Sequence, residues 1–175
     1  QLRDVEASEM PVTFEQTAHY DKVSSVHNIV INTESGYAYA VGSNSGGRTC
    51  GGALHMINIQ DPLNPTFAGC FNDTPTGGKQ DGIHDAQCVT YHGPDQEYQG
   101  HEICLNSSRS AFTIADVTDK DNPKLIASAS FPNYGNIHQG WFTESQRYFY
   151  MNDEGDEFTD AIKNTRTLIW DLSNL

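Results

Sequence analysis

Positive charge is scarce in this chain. Ten Lys and Arg stand against 23 Asp and Glu, for a net charge of -13 with His neutral. A surface that acidic repels phosphate backbones and anionic headgroups, which sets nucleic acid aside as a partner. Long apolar runs are missing too. None approaches the roughly 18 residues needed to cross a bilayer, so membrane insertion is not expected. No C-x-x-C pair occurs, which argues against a structural zinc site of the usual spacing. No window sustains an apolar period of about 3.6 residues over three turns, the mark of an amphipathic helix. The chain opens without a basic-then-apolar stretch and reads as a mature product or an excerpt.

What is present is a single-domain length of 175 residues, with 8 Phe, 8 Tyr and 2 Trp to build a core. The four cysteines are Cys50, Cys70, Cys88 and Cys104. Their even number and spacing suit two hairpin-like disulfides, Cys50–Cys70 and Cys88–Cys104, among three possible connectivities. Four buried thiols in a reducing compartment are the alternative. The acidic, Lys-poor, Tyr/Asn/Ser/Gly-rich composition favours an extracellular or cell-surface protein. Asn72 and Asn106 fit the glycan acceptor pattern.

An internal repeat organises the chain. His27, His84 and His138 mark its phase, each followed by a short extended run: Asn28-Ile29-Val30-Ile31, Asp85-Ala86-Gln87-Cys88-Val89 and Gln139-Gly140-Trp141-Phe142. Second runs follow at Tyr37–Val41, Glu102–Leu105 and Tyr148–Met151, then third runs at Leu54–Ile59, Phe112–Val117 and Thr167–Leu172. Two third runs enter acidic, Pro-bearing turns (Asp61–Pro65 and Asp119–Pro123) that lead to fourth runs at Thr66–Phe71 and Lys124–Ala129. The runs are rich in β-branched and aromatic residues and bounded by Gly, Pro, Asn or Asp, as strands are. Four strands repeated every 40–55 residues or so predict an all-β fold of β-propeller blades, each of four antiparallel strands.

The expected organisation is a single domain over 1–175. Residues 1–20 supply the fourth strand of a preceding blade, 27–71 and 84–131 form whole blades, and 138–175 give three strands of another. Three blades fall below the four to eight that normally close a ring. The chain is therefore expected to be an excerpt of a larger propeller or to be completed by other chains at its open edges.

The third-strand-plus-turn text Ile114-Ala115-Asp116-Val117-Thr118-Asp119 to Pro123 resembles the LVIVD repeat. The wider text resembles the choice-of-anchor B family of LVIVD-repeat proteins, through Val26–Asn32, Gly36–Gly42, Pro65–Phe71, His84–Val89 and His138–Trp141 running to Glu144. The likeness covers nearly the whole chain. It implies an exported or surface-attached propeller, of which this chain spans a part, and lends no particular chemistry.

Two clusters are candidate sites. In a propeller the first strand of each blade lines the central channel, so His27, His84 and His138 would ring one axis and could hold a divalent metal, with Asp85, Asn28 and Gln139 beside them. The alternative is that each His tethers its blade through a backbone hydrogen bond. The acidic stretch 152–160, with Asp153, Glu154 and Asp156, suits calcium, which takes six to eight oxygens; calcium ranks ahead of zinc. Catalytic patterns are lacking. Gly42-Ser43-Asn44-Ser45-Gly46 has the wrong order for a nucleophile elbow, and Thr76-Gly77-Gly78-Lys79 lacks the frame of a phosphate loop. The expected function is a non-enzymatic module for binding or for surface or filament assembly, with partners or further copies meeting its exposed strand edges. A metal-dependent, hydrolase-like enzyme centred on the histidines is the alternative.

Overall fold

A computed structural model describes residues 15–23, 25–43, 49–72, 82–158 and 162–175. Among these the chain is all-β, with eleven strands and only short 3-10 turns besides. Sheet 1 is the meander β1 (Asn28–Asn32), β2 (Tyr37–Val41), β3 (Leu54–Asn58) and β4 (Thr66–Phe71). Sheet 2 repeats it with β5 (Asp85–Thr90), β6 (Glu102–Ser107), β7 (Phe112–Asp116) and β8 (Lys124–Ala129). Sheet 3 has β9 (Ile137–Phe142), β10 (Tyr148–Asp153) and β11 (Thr167–Asp171). All neighbours are antiparallel, and no sheet closes on itself. Of the expected leading strand, residues 15–20 carry no strand and 1–14 lie outside the described residues.

The repeat is physical as well as textual. Each third strand ends in a side chain that accepts a backbone N–H two residues on: Asn58 from Gln60, Asp116 from Thr118 and Asp171 from Ser173, at 2.9, 2.9 and 3.1 Å. This turn mimicry is what Asn and Asp contribute at strand ends. The acidic turns repeat too, since Asp61 accepts from Leu63 N and Asn64 Nδ2 while Asp119 accepts from Asp121 N and Asn122 Nδ2.

Successive side chains in a strand point to opposite faces, so each sheet has a front and a back. The back of sheet 1 (Tyr39, Val41, Leu54, Met56) packs on the front of sheet 2 (Ala86, Cys88, Cys104, Ala115). In turn the back of sheet 2 (Leu105, Ile114) packs on the front of sheet 3 (Phe142, Phe149, Met151). One step is thus used twice. The two disulfides are Cys50–Cys70 and Cys88–Cys104, the pairing that the spacing suited, and no free cysteine is left. Cys50–Cys70 ties the turn before β3 to β4, and Cys88–Cys104 links directly paired residues of β5 and β6.

Gly69 shows how tightly the sheets approach. A Cβ there would lie 2.1 Å from the Lys120 carbonyl oxygen of sheet 2, so any side chain would push the sheets apart.

Candidate functional site

The first strands β1, β5 and β9 lie side by side in space and line a groove of about 730 Å³. Its walls carry Asn28, Asp85, Gln139 and Asn152 together with the rings of Trp141 and Tyr150. Asn28, Asp85 and Gln139 hold the same place in the three repeats. Asn28 Nδ2 donates to Asp85 Oδ1 at 2.9 Å, and the same oxygen accepts the Ala86 N–H at 2.8 Å.

The three histidines meet beside these strands. The His27 and His84 ring centroids are 4.1 Å apart with planes tilted by 47°, and those of His84 and His138 are 4.5 Å apart at 41°. His84 Nδ1 donates to the His138 carbonyl oxygen at 3.2 Å, a tether from the start of sheet 2 to sheet 3. His138 Nε2 lies 3.4 Å from Glu154 Oε2. The backbone N–H of His27 donates to Val41 O and that of His84 to Ser107 O. Gly42, at φ +65°, makes room here, since a Cβ on it would meet the His27 Cβ at 2.6 Å. Burial holds the His84 imidazole below its ordinary pKa; the His138 carbonyl opposes this, and His27, His138 and Arg109 add to it.

The acidic stretch folds around a cation of the chain itself. Arg166 places Nη2 2.9 Å from Asp153 Oδ2 and 2.8 Å from Asp156 Oδ1, while its Nε donates to Asp156 Oδ2 at 2.9 Å. Both carboxylates are fully buried. Asp153 also accepts the backbone N–H groups of Gly135 and Asn136, and Asp156 that of Arg166. The Arg166 hydrogen bond, foremost, holds the Asp156 carboxyl below the usual carboxylate range. Glu154 accepts from Asn136 Nδ2 at 3.0 Å. Among the described residues, no three His, Cys, Asp or Glu are grouped so as to hold a metal ion.

Another charged cluster, missed in the sequence, lies between sheets 1 and 2. Glu102 accepts from Lys120 Nζ at 2.8 Å, Asn32 Nδ2 at 2.7 Å and Ser35 Oγ at 2.5 Å. Lys120 Nζ also donates to Val117 O and sits 4.1 Å from the centre of the Tyr37 ring. Burial pushes the neighbouring Tyr39 hydroxyl well above its ordinary pKa, with the Glu102 charge adding to it. Nothing local announced this set, because its members lie up to 88 positions apart (Asn32 to Lys120). Arg166 gave one faint signal, as one of two cations, with Lys163, that follow nine residues dense in carboxylates.

The two glycan candidates separate. Asn72 is exposed, whereas Asn106 is fully buried with Nδ2 donating to Thr113 Oγ1 at 3.3 Å. A glycan at Asn106 has no room in the folded protein, which corrects that expectation. The acceptor pattern reads three residues and is blind to burial. The two disulfides fit an oxidising environment, and among the described residues no helix is long and apolar enough to cross a membrane.

No family model matches this chain, and no curated protein matches it.

Proposed function

We propose that the chain is a segment of an extracellular or cell-surface β-propeller of the LVIVD-repeat, choice-of-anchor B type, serving as a non-enzymatic module for binding or for surface or filament assembly. One observation carries this reading: the same back-to-front packing step joins sheet 1 to sheet 2 and sheet 2 to sheet 3, with their first strands together along one groove. Propeller blades stack in this way around an axis. Acidity and two disulfides support an exported setting. In this reading the polar groups are structural. The His84 bond to His138 ties two blades, Arg166 neutralises the acidic loop, and any calcium bound by that loop is a stabiliser only. Partners meet the molecule at its open sheet faces and strand edges.

A second reading, a metal-dependent enzyme, is favoured by the gathering of His27, His84 and His138 into one row. Elemental analysis of the purified protein, with turnover of a panel of ester, phosphoester and glycoside substrates, separates the two. The module reading expects no stoichiometric metal and no turnover, with His84→Ala changing stability alone. Bound metal and turnover that both vanish in His84→Ala would replace it with the enzyme.

A further inference from the structure

The two disulfides differ in what surrounds them. Cys88 is 4% and Cys104 0% exposed, both packed between sheets 1 and 2. Cys70 is exposed on the front of β4, the outer strand of sheet 1, and its partner Cys50 is half-buried. This exposure does not come from an uncovered face. In sheet 2, whose front lies under sheet 1, the position equivalent to Cys70 is Ser128, and it is exposed as well. The outer rim of a stacked sheet thus stays open to solvent when its front is covered.

Beside the Cys50–Cys70 bond sits His55, which pairs with Cys70 across β3 and β4. Its Nδ1 lies 3.5 Å from Cys50 Sγ and its Nε2 lies 2.6 Å from the Tyr20 hydroxyl. A disulfide sulfur carries no hydrogen, so Nδ1 donates to Cys50 Sγ, and Nε2 then accepts from Tyr20. Burial holds the imidazole below its ordinary pKa, which keeps it neutral near pH 7. The Phe67 ring packs edge-on against it at 5.1 Å. The repeat does not call for a histidine here, since sheets 2 and 3 carry Thr113 and Leu168 at this position. Cys50 itself stands at φ +53°, in the left-handed region that a residue with a Cβ adopts at a cost.

We propose that Cys50–Cys70 is a thiol–disulfide exchange site, entered at Cys70 and directed by His55, whereas Cys88–Cys104 is a permanent crosslink. An incoming thiolate attacks Cys70 Sγ and forms a new S–S bond there. The Cys50–Cys70 bond breaks and its electron pair leaves on Cys50 Sγ, a thiolate that accepts the His55 Nδ1–H. Stabilising the leaving thiolate speeds attack on the sulfur bonded to it. A second thiol then attacks the mixed disulfide, so two thiols are oxidised to one disulfide as Cys50 and Cys70 are reduced. The ligand is a thiol, either a small one such as glutathione or the Cys-x-x-C dithiol of a reductase. Opening the bond unties the turn before β3 from β4 and leaves the core between the sheets intact. The inference stands apart from the module reading.

The test is exchange of the folded, oxidised chain with millimolar glutathione, quenched with iodoacetamide and mapped by peptide mass spectrometry. Glutathione should appear on Cys70 and the alkyl group on Cys50, with opening about 100-fold faster or more than at Cys88–Cys104. His55→Leu should slow opening by about tenfold. His55→Asn, whose amide N–H takes the place of Nδ1–H, should recover most of that rate, which restored packing alone would not do. At equal thiol concentration, faster opening by a Cys-x-x-C reductase supports the site with a protein dithiol as its source, and equal or slower opening supports it with a small thiol. Glutathione on Cys50, or opening no faster than at Cys88–Cys104, overturns the proposal and leaves the module reading untouched. So does a rate unchanged in His55→Leu. The mapping needs only the unsubstituted chain, and it decides the matter where His55→Leu fails to fold.

Discussion

The two inter-sheet interfaces do the same geometric work with different chemistry. Between sheets 1 and 2, the paired positions of the first and second strands hold the Cys88–Cys104 disulfide. Between sheets 2 and 3, the equivalent pair is Phe142 and Phe149, in edge contact at 5.5 Å between ring centres. The neighbouring third-strand position is Ala115 in one and Trp170 in the other. The first interface therefore combines small side chains, a covalent link and the buried Glu102–Lys120 pair. The second is a run of aromatic rings, with Phe112 stacked between Phe149 and Trp170 at 5.1 and 5.3 Å. The repeat fixes where side chains meet, and total volume and polar satisfaction then decide what can stand there.

The sharpest way to break this contrast is Phe149→Ala. Removing a fully buried ring from the centre of the aromatic interface should cost about 4 kcal/mol in a urea titration. Next comes Cys88→Ala with Cys104→Ala, which frees a short loop and should cost about 3 kcal/mol. Without those two thiols, stability should stop responding to the loss of this link on reduction. Glu102→Gln should cost about 3 kcal/mol or a little less, because it leaves the Lys120 ammonium, 11% exposed, without its carboxylate. Glu102→Leu with Lys120→Met should recover most of that loss, since an apolar pair needs no partner. A pH effect belongs to two imidazoles that burial holds below their ordinary pKa, His84 in the His row and His55 on sheet 1. Because folding lowers the His84 pKa, the unfolded chain takes the proton first. The His84 contribution is present above the ordinary value of about 6.5 and is lost as pH falls through the lowered one. Thermal melts should therefore decline on acidification below about pH 6.5, and His84→Asn should remove the His84 share of that decline, leaving that of His55.

Much of the architecture was legible because it is periodic. Short β-branched and aromatic runs between turn residues marked the strands, and the recurrence of His27, His84 and His138 brought three side chains 57 and 54 positions apart into one row. The separations of 20 and 16 suited the disulfides that form, although spacing alone left three pairings open. The Arg166 clamp was harder to see. Asp153 and Asp156 looked like oxygen ligands seeking a cation, and the chain supplies one thirteen and ten positions on. Glu102 and Lys120 were invisible, since a single Glu and a single Lys in an acidic chain carry no pattern. Trp141 looked like an ordinary packing residue. Its position in the strand is one that packs in the other two sheets, and only the stacking of the sheets reveals that here it faces outward.

By itself the amino-acid order determined the strand alternation, the turn chemistry and the repeat, because these depend on residues a few positions apart and on backbone geometry common to every β-strand. The tertiary arrangement decided which charges are neutralised, which acceptor Asn is buried and which apolar row is left uncovered. Those outcomes depend on distances between sheets, and a linear pattern fixes the faces of a strand without fixing what arrives to cover them.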